Sequence, residues 1–396
     1  MIAALVLASL PQAGELTAFK AAKVFTAGDA GVLDRGVVLV QGDHIAAVGL
    51  ASELAVPPEA VLVDLGDGWL VPGMHEPHCH IAGSLSDLND MVYLTNPELG
   101  TYEVVEPGNR YLQDAVAGGV TTALLIPGSG TNIGGFGTLV KTAGETVEES
   151  VVRSPGSLKV AQAGNPESYS FGVGRAMMNW NTRHTIERGL RWARDFRAGR
   201  APWNPELARF EGLADGTVPV SVHTQIYQVV LMTVTMLGRD LGLRAFIDHG
   251  EFDGYKTGPL AVQYGVPAML GPRSLWFDRS SARILGLGAA WWPFVKDGLV
   301  LGYNTDSPVV PEEELSYQAC MGVRLGHDDP VGALHGITSN AAKALLCEHI
   351  SGKLEAGLDA DFAAWTGFPL DPRSHVTRVW IRGRLVYDAE RDGRRY

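Results

Sequence analysis

Cysteine is scarce in this chain, and its three cysteines form no recognisable pattern. Cys79, Cys320 and Cys347 are an odd number, are widely spread and include no Cys-x-x-Cys pair. The sequence therefore predicts neither a disulfide framework nor a zinc knuckle. An apolar run long enough for a membrane span is also missing, because the stretch 2–10 is too short to cross a bilayer.

Positive charge is in deficit as well. The 396 residues include 32 Lys and Arg against 44 Asp and Glu, which gives a formal net charge of -12. This balance argues against nucleic acid or an anionic membrane as the main partner, so we expect a small-molecule substrate. Whether the protein forms a homo-oligomer stays open. The length suits a large α/β barrel with an accessory domain.

The N-terminus has two interpretations. Its apolar run is followed by small residues, which resembles a secretory signal peptide within residues 1–14 and would send the protein to the periplasm or outside the cell. No Lys or Arg precedes the run, however. The alternative is a first strand of the mature fold in a cytoplasmic protein.

Both ends of the chain are β-rich. Residues 15–70 contain short strand-like runs, and two of them flank Gln41-Gly42-Asp43 as a hairpin would. Residues 350–396 also contain short strand-like runs. We therefore expect the two ends to form one small β-sandwich domain, with residues 71–349 as a separate domain inserted between its halves.

The inserted region alternates strand-like and helix-like segments. Apolar runs typical of buried strands end at His78–His80 and lie at 120–127, 138–142, 158–161, 218–223, 245–249, 267–270 and 299–303. Eight strands that alternate with helices over this length predict a (β/α)8 fold, a TIM-like barrel.

His78 and His80 are the strongest chemical signal. They are two residues apart behind a Pro-Gly turn. Positions i and i+2 of a strand point to the same face, so both imidazoles can reach one metal ion. Cys79 between them would face away, as a small buried apolar residue.

Four further residues fall at or near the ends of later strands, where a barrel of this type forms its active site: Lys159, His223, His249 and Asp306. Each alone has an ordinary structural explanation. Together with the first two histidines, they are the ligand types that suit zinc and related divalent ions.

The segment 72–80 resembles the first-strand signature of the amidohydrolase superfamily, Pro-Gly-x-x-Asp-x-His-x-His, with Glu76 where Asp is usual. That family continues with a lysine on strand 4, histidines on strands 5 and 6 and an aspartate on strand 8. Residues 352–362 resemble the segment that returns the family's chain to its small β domain. The imidazolonepropionase-like and dipeptidase-like branches are the most similar.

The resemblance implies a divalent metal, with zinc as the first choice, as one or two ions. It implies one ion on His78, His80 and Asp306, a second on His223 and His249, and a bridging Lys159 carboxylated on its amine. Lys141 is the alternative bridging lysine, and with no bridge the site would be mononuclear.

The implied function is a hydrolase that uses a metal-activated hydroxide to cleave an amide or cyclic amide C–N bond in a small molecule or dipeptide. Asp306 would move the proton to the leaving nitrogen. One alternative is an ester, lactone or phosphotriester hydrolase with the same centre, and another is a non-catalytic scaffold. Tyr255, Arg273 and Tyr303 are candidate substrate contacts.

Overall fold

The computed structural model describes residues 14, 16–83, 89–162, 165–169, 173–272, 275–279, 282–286 and 290–395. The predicted signal peptide lies outside these residues except for Gly14, so export stays a prediction. A search of the described helices finds none with the length and apolar character needed to span a bilayer.

Five strands at the start of the chain belong to a small sheet: β1 (Leu16–Phe25), β2 (Val32–Gln41), β3 (His44–Leu50), β4 (Val61–Asp64) and β5 (Trp69–Pro72). β2 and β3 pair antiparallel around a tight turn that contains Gly42. Gly42 has a φ of 64°, a left-handed conformation that favours glycine. The predicted hairpin is therefore confirmed.

A second sheet forms the barrel. Its strands are β6 (Met74–Cys79), β7 (Val120–Leu125), β8 (Ile133–Lys141), β9 (Val151–Ala161), β10 (Val220–Thr224), β11 (Ala245–His249), β12 (Ala268–Leu270) and β15 (Leu301–Tyr303). Between the last two, β13 (Leu275–Asp278) and β14 (Arg283–Gly286) form a separate hairpin. The barrel strands follow each other in chain order around the sheet. A parallel bridge between Cys79 and Ser307 brings its two edges together, so the barrel is nearly closed.

One barrel strand runs against its neighbours, which corrects the expected parallel (β/α)8 arrangement. β8 pairs antiparallel with both β7 and β9. The connection from β7 to β8 is only 126–132, whereas a parallel crossover needs roughly a dozen residues or more. The glycine-rich stretch 128–137 is thus a loop only in its first half, and Gly134, Gly135 and Gly137 are strand residues.

The described α-helices are α1 (Arg110–Ala117), α2 (Val147–Ser150), α3 (Asn165–Tyr169), α4 (Arg175–Arg197), α5 (Phe210–Asp215), α6 (Tyr227–Met232), α7 (Gly258–Tyr264), α8 (Leu315–Arg324), α9 (Pro330–Gly336), α10 (Ser339–Ala344) and α11 (Ala389–Asp392). The Asn109 side chain caps α1 by accepting hydrogen bonds from two backbone N–H groups. The long helix α4 buries Ile186 and Ala193 in one apolar cluster with Val220 and Val222 of β10. Helices thus cover the outer face of the barrel.

Helix α10 packs against residues of the barrel strands. Leu124, Phe246 and Met269 form an apolar cluster with Ala341 and Leu345 from α10 and its C-terminal end. The polar cluster described below lies at the C-terminal ends of the strands.

Three strands at the end of the chain complete the small sheet: β16 (Phe362–Trp365), β17 (Val376–Ile381) and β18 (Arg384–Asp388). β16 pairs with β5, so both chain ends share one sheet. Phe19 of β1 lies 4.8 Å from the Phe362 ring, although the two strands are separated by β5. The expected β-sandwich is instead one continuous hydrogen-bonded sheet that contains strands from both chain ends.

Candidate functional site

The six predicted metal ligands all lie at or near the C-terminal ends of barrel strands. The side chains come from β6 and the residue after it, β9, β10, β11 and the loop after β15: His78, His80, Lys159, His223, His249 and Asp306. In β10 the apolar Val222 directly precedes His223 and packs in the cluster that includes α4. Strand alternation thus directs His223 into the barrel.

His78, His80 and Asp306 form a compact group whose ligand atoms lie within 4.8 Å of one another. The Nε2 atoms of His78 and His80 lie 3.2 and 3.1 Å from the same Asp306 oxygen, Oδ1. Two metal bonds of about 2.0–2.2 Å at a tetrahedral angle separate their ligand atoms by about 3.3–3.6 Å. The observed spacing is therefore close to that of atoms that share one metal ion.

The opposite ring nitrogens have acceptors, which fixes where the lone pairs point. His80 Nδ1 donates to the Ile126 carbonyl at 3.0 Å, and His249 Nδ1 donates to the Gly271 carbonyl at 2.7 Å. His78 Nδ1 lies 2.8 Å from the buried Asp248 carboxylate. With the proton on Nδ1, each Nε2 presents a lone pair to the interior of the site, as metal-binding histidines do.

His223 and His249 form a second imidazole pair. His249 Nε2 and His223 Nδ1 are 2.8 Å apart, and the Ser129 hydroxyl lies 3.0 Å from the same His223 nitrogen. His223 Nε2 is buried without a hydrogen-bond partner among the described residues. Two imidazoles this close, one with an unsatisfied nitrogen, fit a bound metal ion, because a metal ion accepts the lone pairs of imidazole nitrogens.

The electrostatics put most of these groups in their metal-binding form. Burial lowers the pKa of His249 to about 4, and burial together with His249 lowers the pKa of His223 well below its usual value. Burial also lowers the pKa of His80. Burial opposes ionisation of Asp306, but hydrogen bonds and charge from His78 outweigh it, so the pKa of Asp306 falls well below its ordinary value. Neutral imidazoles and an ionised carboxylate are the species that bind metals.

The structure separates the two candidate lysines. Lys159 Nζ is buried 3.5 Å from His78 Nε2, and burial lowers its pKa to about 8. Lys141 is also buried, but its amine lies 3.0 Å from Asp359 and contacts Asp361 in the segment that leads to β16. Lys141 thus joins the barrel to the small sheet, while Lys159 lies within the histidine cluster.

Two of the site residues have unusual backbone conformations. His249 has a φ of 73° and Asp306 a φ of 50°, both in the left-handed region that side chains other than glycine rarely adopt. Strained backbone of this kind persists only where the surrounding structure holds it in place, and it is often found at functional sites.

Sequence reasoning missed Asp248 and Ser129. Asp248 is a carboxylate inside the apolar run 245–249, and its alternation with Ile247 could have placed it inside the barrel. Ser129 lies in the glycine-rich loop, where a Cβ on Gly128 or Gly130 would collide with Asn89 or Met91. Those glycines let the segment around Met91 lie directly on the loop that contacts His223.

The candidate substrate contacts fare differently. Tyr303 is fully buried, its ring packs against Gly322, and its hydroxyl lies 2.5 Å from His327 Nδ1. It therefore faces the helices and not the site, which corrects its predicted role as a substrate contact. Tyr255 packs half-buried against the main apolar cluster, and its substrate role stays a prediction. Arg273 lies outside the described residues.

Comparison with known proteins identifies relatives, although no family model matches. The amidohydrolase tasK of Hapsidospora irregularis is 26% identical over 388 residues, which cover 84% of this chain but only 38% of that longer protein. Imidazolonepropionase of Erwinia tasmaniensis is 22% identical over 90% of this chain and 92% of its own. The crystal structure of an amidohydrolase from Thermotoga maritima has a TM-score of 0.82 at 26% identity and covers 94% of this chain and 100% of its own.

These similarities agree with the barrel, the second sheet and the residue pattern at the strand ends. The chain is thus similar over most of its length to proteins of the amidohydrolase superfamily, in particular to those of the imidazolonepropionase-like branch. These relatives are hydrolases that act on carbon–nitrogen bonds.

Proposed function

We propose that this protein is a metal-dependent hydrolase that cleaves an amide or cyclic amide C–N bond in a small molecule or dipeptide. The observation that carries the proposal is the convergence of His78, His80 and Asp306 on one point, with their lone pairs directed at each other. Superfamily members generally use a divalent metal. Zinc suits this donor set of imidazole nitrogen and carboxylate oxygen.

The remaining ligands support a two-ion arrangement. In this proposal His78, His80 and Asp306 would hold one ion, His223 and His249 would hold a second, and Lys159, as a carbamate, would be shared between them. A divalent ion bound there lowers the pKa of a water molecule toward about 7 and polarises the substrate carbonyl.

Asp306 is the proposed general base and acid. Its side chain is 17% exposed, whereas His78 beside it is fully buried, so the carboxylate can reach both the site and an entering substrate. Its low pKa keeps it ionised and ready to accept a proton. It would accept the proton of the attacking water and deliver it to the leaving nitrogen.

The direct test replaces Asp306 with Asn. We expect D306N to lose nearly all turnover of a cleavable amide while its folded structure and bound metal persist, because Asn keeps an oxygen ligand but cannot accept the proton. The exposed Asp240, which pairs with Arg183 on the surface, gives the control variant D240N. Full activity of D306N would overturn the assignment of Asp306.

A substrate panel tests the bond type. Cyclic amides, N-acyl amino acids, dipeptides, esters, lactones and phosphotriesters should be compared by kcat/KM with the metal-loaded enzyme. The proposal expects the highest values among the amides. A preference for lactones or phosphotriesters would contradict it while leaving the metal centre intact.

A further inference from the structure

The Glu76 carboxylate makes three hydrogen bonds, although Glu76 itself plays no part in the proposed chemistry. It is fully buried on β6. Its Oε1 accepts from the His78 backbone N–H at 2.9 Å. Its Oε2 accepts from the Thr305 backbone N–H at 2.9 Å and from the Thr305 hydroxyl at 2.7 Å. One side chain therefore holds the backbone of His78 and that of the residue just before Asp306.

These bonds cross the edge at which the barrel sheet closes. β6 and β15 are the two edge strands of the barrel sheet. Among the residues that the structure describes, the backbone pairing across this edge is the bridge between Cys79 and Ser307, with a hydrogen bond from His80 N–H to the Ser307 carbonyl at 2.8 Å. The carboxylate of Glu76 thus supplies part of the connection that a strand ladder supplies elsewhere in the barrel.

The same connection determines the spacing of the metal-binding group. His78 lies on one side of the edge and Asp306 on the other, with its backbone in a left-handed conformation that neighbouring contacts must maintain. We propose that Glu76 is a positioning residue that fixes Asp306 against His78 and so sets the metal affinity of the site. This inference rests on the proposed function, since it assumes that these residues bind a metal.

The positions of the three donors explain why a side chain with two acceptor oxygens serves here. Each of the two oxygens faces a backbone N–H, so both must accept. In Glu76→Gln, one of the two positions becomes an NH2 group that faces a backbone donor, and one connection is lost. In Glu76→Asp, the residue usual in the family signature, the carboxylate is withdrawn by about 1.5 Å, one C–C bond, from Thr305.

Glu312 offers a matched control. It is buried too, and its Oε2 lies 3.3 Å from the Thr305 hydroxyl. That hydroxyl has one proton for two carboxyl neighbours, and the shorter contact is the one with Glu76. A Gln side chain at 312 can donate to it. E312Q therefore removes a buried carboxylate from the same region without breaking the link between β6 and Asp306.

The experiment measures Co2+ binding to the metal-free full-length protein. Co2+ is titrated into wild type, E76Q, E76D and E312Q, and the visible absorption spectrum reports both affinity and ligand geometry. We expect E76Q to lose about 10- to 100-fold in affinity and to show an altered spectrum, as changes to groups that orient metal ligands do. E76D should lie between E76Q and wild type, and E312Q should match wild type.

Two further variants keep the inference testable if E76Q fails to fold. Thr305→Val removes the hydroxyl donor but keeps the backbone N–H, and Thr305→Ser restores the hydroxyl. We expect weaker Co2+ binding in T305V and wild-type binding in T305S. A residue important only for stability would lower the unfolding temperature without changing affinity or spectrum.

The outcomes separate this inference from the proposed function. Wild-type affinity and spectrum in E76Q, or in T305V where E76Q does not fold, would overturn the role of Glu76 alone. A wild-type protein that binds no Co2+ would overturn the metal centre itself, and the inference with it.

Discussion

Asp248 Oδ2 lies 2.8 Å from His78 Nδ1, and both side chains are fully buried. The same carboxylate contacts the Ser221 hydroxyl and lies 3.9 Å from Lys159 Nζ. Burial alone would lower the pKa of His78, but the charge of Asp248 raises it above its usual value. Asp248 therefore controls both the tautomer and the basicity of an imidazole at the centre of the site.

We predict that Asp248→Asn weakens metal binding about 10- to 100-fold, because the loss of negative charge makes His78 a poorer donor and leaves Lys159 with less compensation. Zinc affinity can be measured by competition with a chelator of known strength. The surface variant D240N should bind like wild type. Equal affinity in D248N and D240N would show that His78 does not need this partner.

A comparison of two buried lysines separates stability from function. We predict that Lys141→Met lowers the free energy of unfolding by about 3–5 kcal/mol, because it leaves the buried carboxylate of Asp361 without its ammonium partner. Its metal content should stay at the wild-type level. Urea unfolding of the metal-free protein and elemental analysis of the purified protein measure the two quantities.

Lys159→Met should show the reverse pattern. We expect it to lose bound metal and turnover, because it removes the proposed bridging group beside His78, while the stability of the metal-free protein changes less than in K141M. The lysine assignment would fail if K159M kept full metal content and K141M lost it.

The number of ions is open to a direct count. We predict that wild type binds two equivalents of zinc, and that His249→Ala binds one, because it removes a ligand of the proposed second ion and leaves His78, His80 and Asp306 intact. Equilibrium dialysis followed by elemental analysis gives the count. One equivalent in wild type and none in H249A would instead establish a mononuclear site.

Much of this site could be predicted from the sequence, because the ligand residue types and the strand periodicity are visible within short segments. His78 and His80 share a face at a spacing of two, and His223 and Asp306 each follow an apolar run. Because a barrel places the C-terminal ends of its strands close together, the predicted fold alone predicts that these residues meet. Cys79 is fully buried in the main apolar cluster, as its alternation with the histidines predicts.

The rest depends on contacts between distant segments. Nothing in the pattern of 133–141 distinguishes an antiparallel strand from a parallel one, so β8 was assigned the wrong direction. Tyr303 ends a barrel strand like a ligand, but it falls on the outward side and meets His327, which is 24 residues away. Glu76 and Thr305 are 229 residues apart, and only the folded barrel joins them.

The stability of the protein should fall in acid partly because of His75. This buried imidazole donates through Nδ1 to the Gly73 carbonyl, and its Nε2 lies 2.9 Å from the Ser351 hydroxyl. Burial, with a smaller effect of Lys141, lowers its pKa from 6.5 to about 3. Between these two pH values the unfolded chain binds a proton at this position and the folded chain does not, so the free energy of unfolding decreases as the pH falls from about 6.5 toward 3.

We therefore predict that His75→Gln reduces the acid sensitivity of the metal-free protein. One proton contributes a slope of at most about 1.4 kcal/mol per pH unit. The difference in unfolding free energy between wild type and H75Q should shrink by up to that amount per unit as the pH drops from 6 to 4. Urea unfolding at a series of pH values measures it, with His44→Gln as a control that removes an exposed imidazole. Parallel pH curves for wild type and H75Q would mean that His75 contributes nothing to acid unfolding.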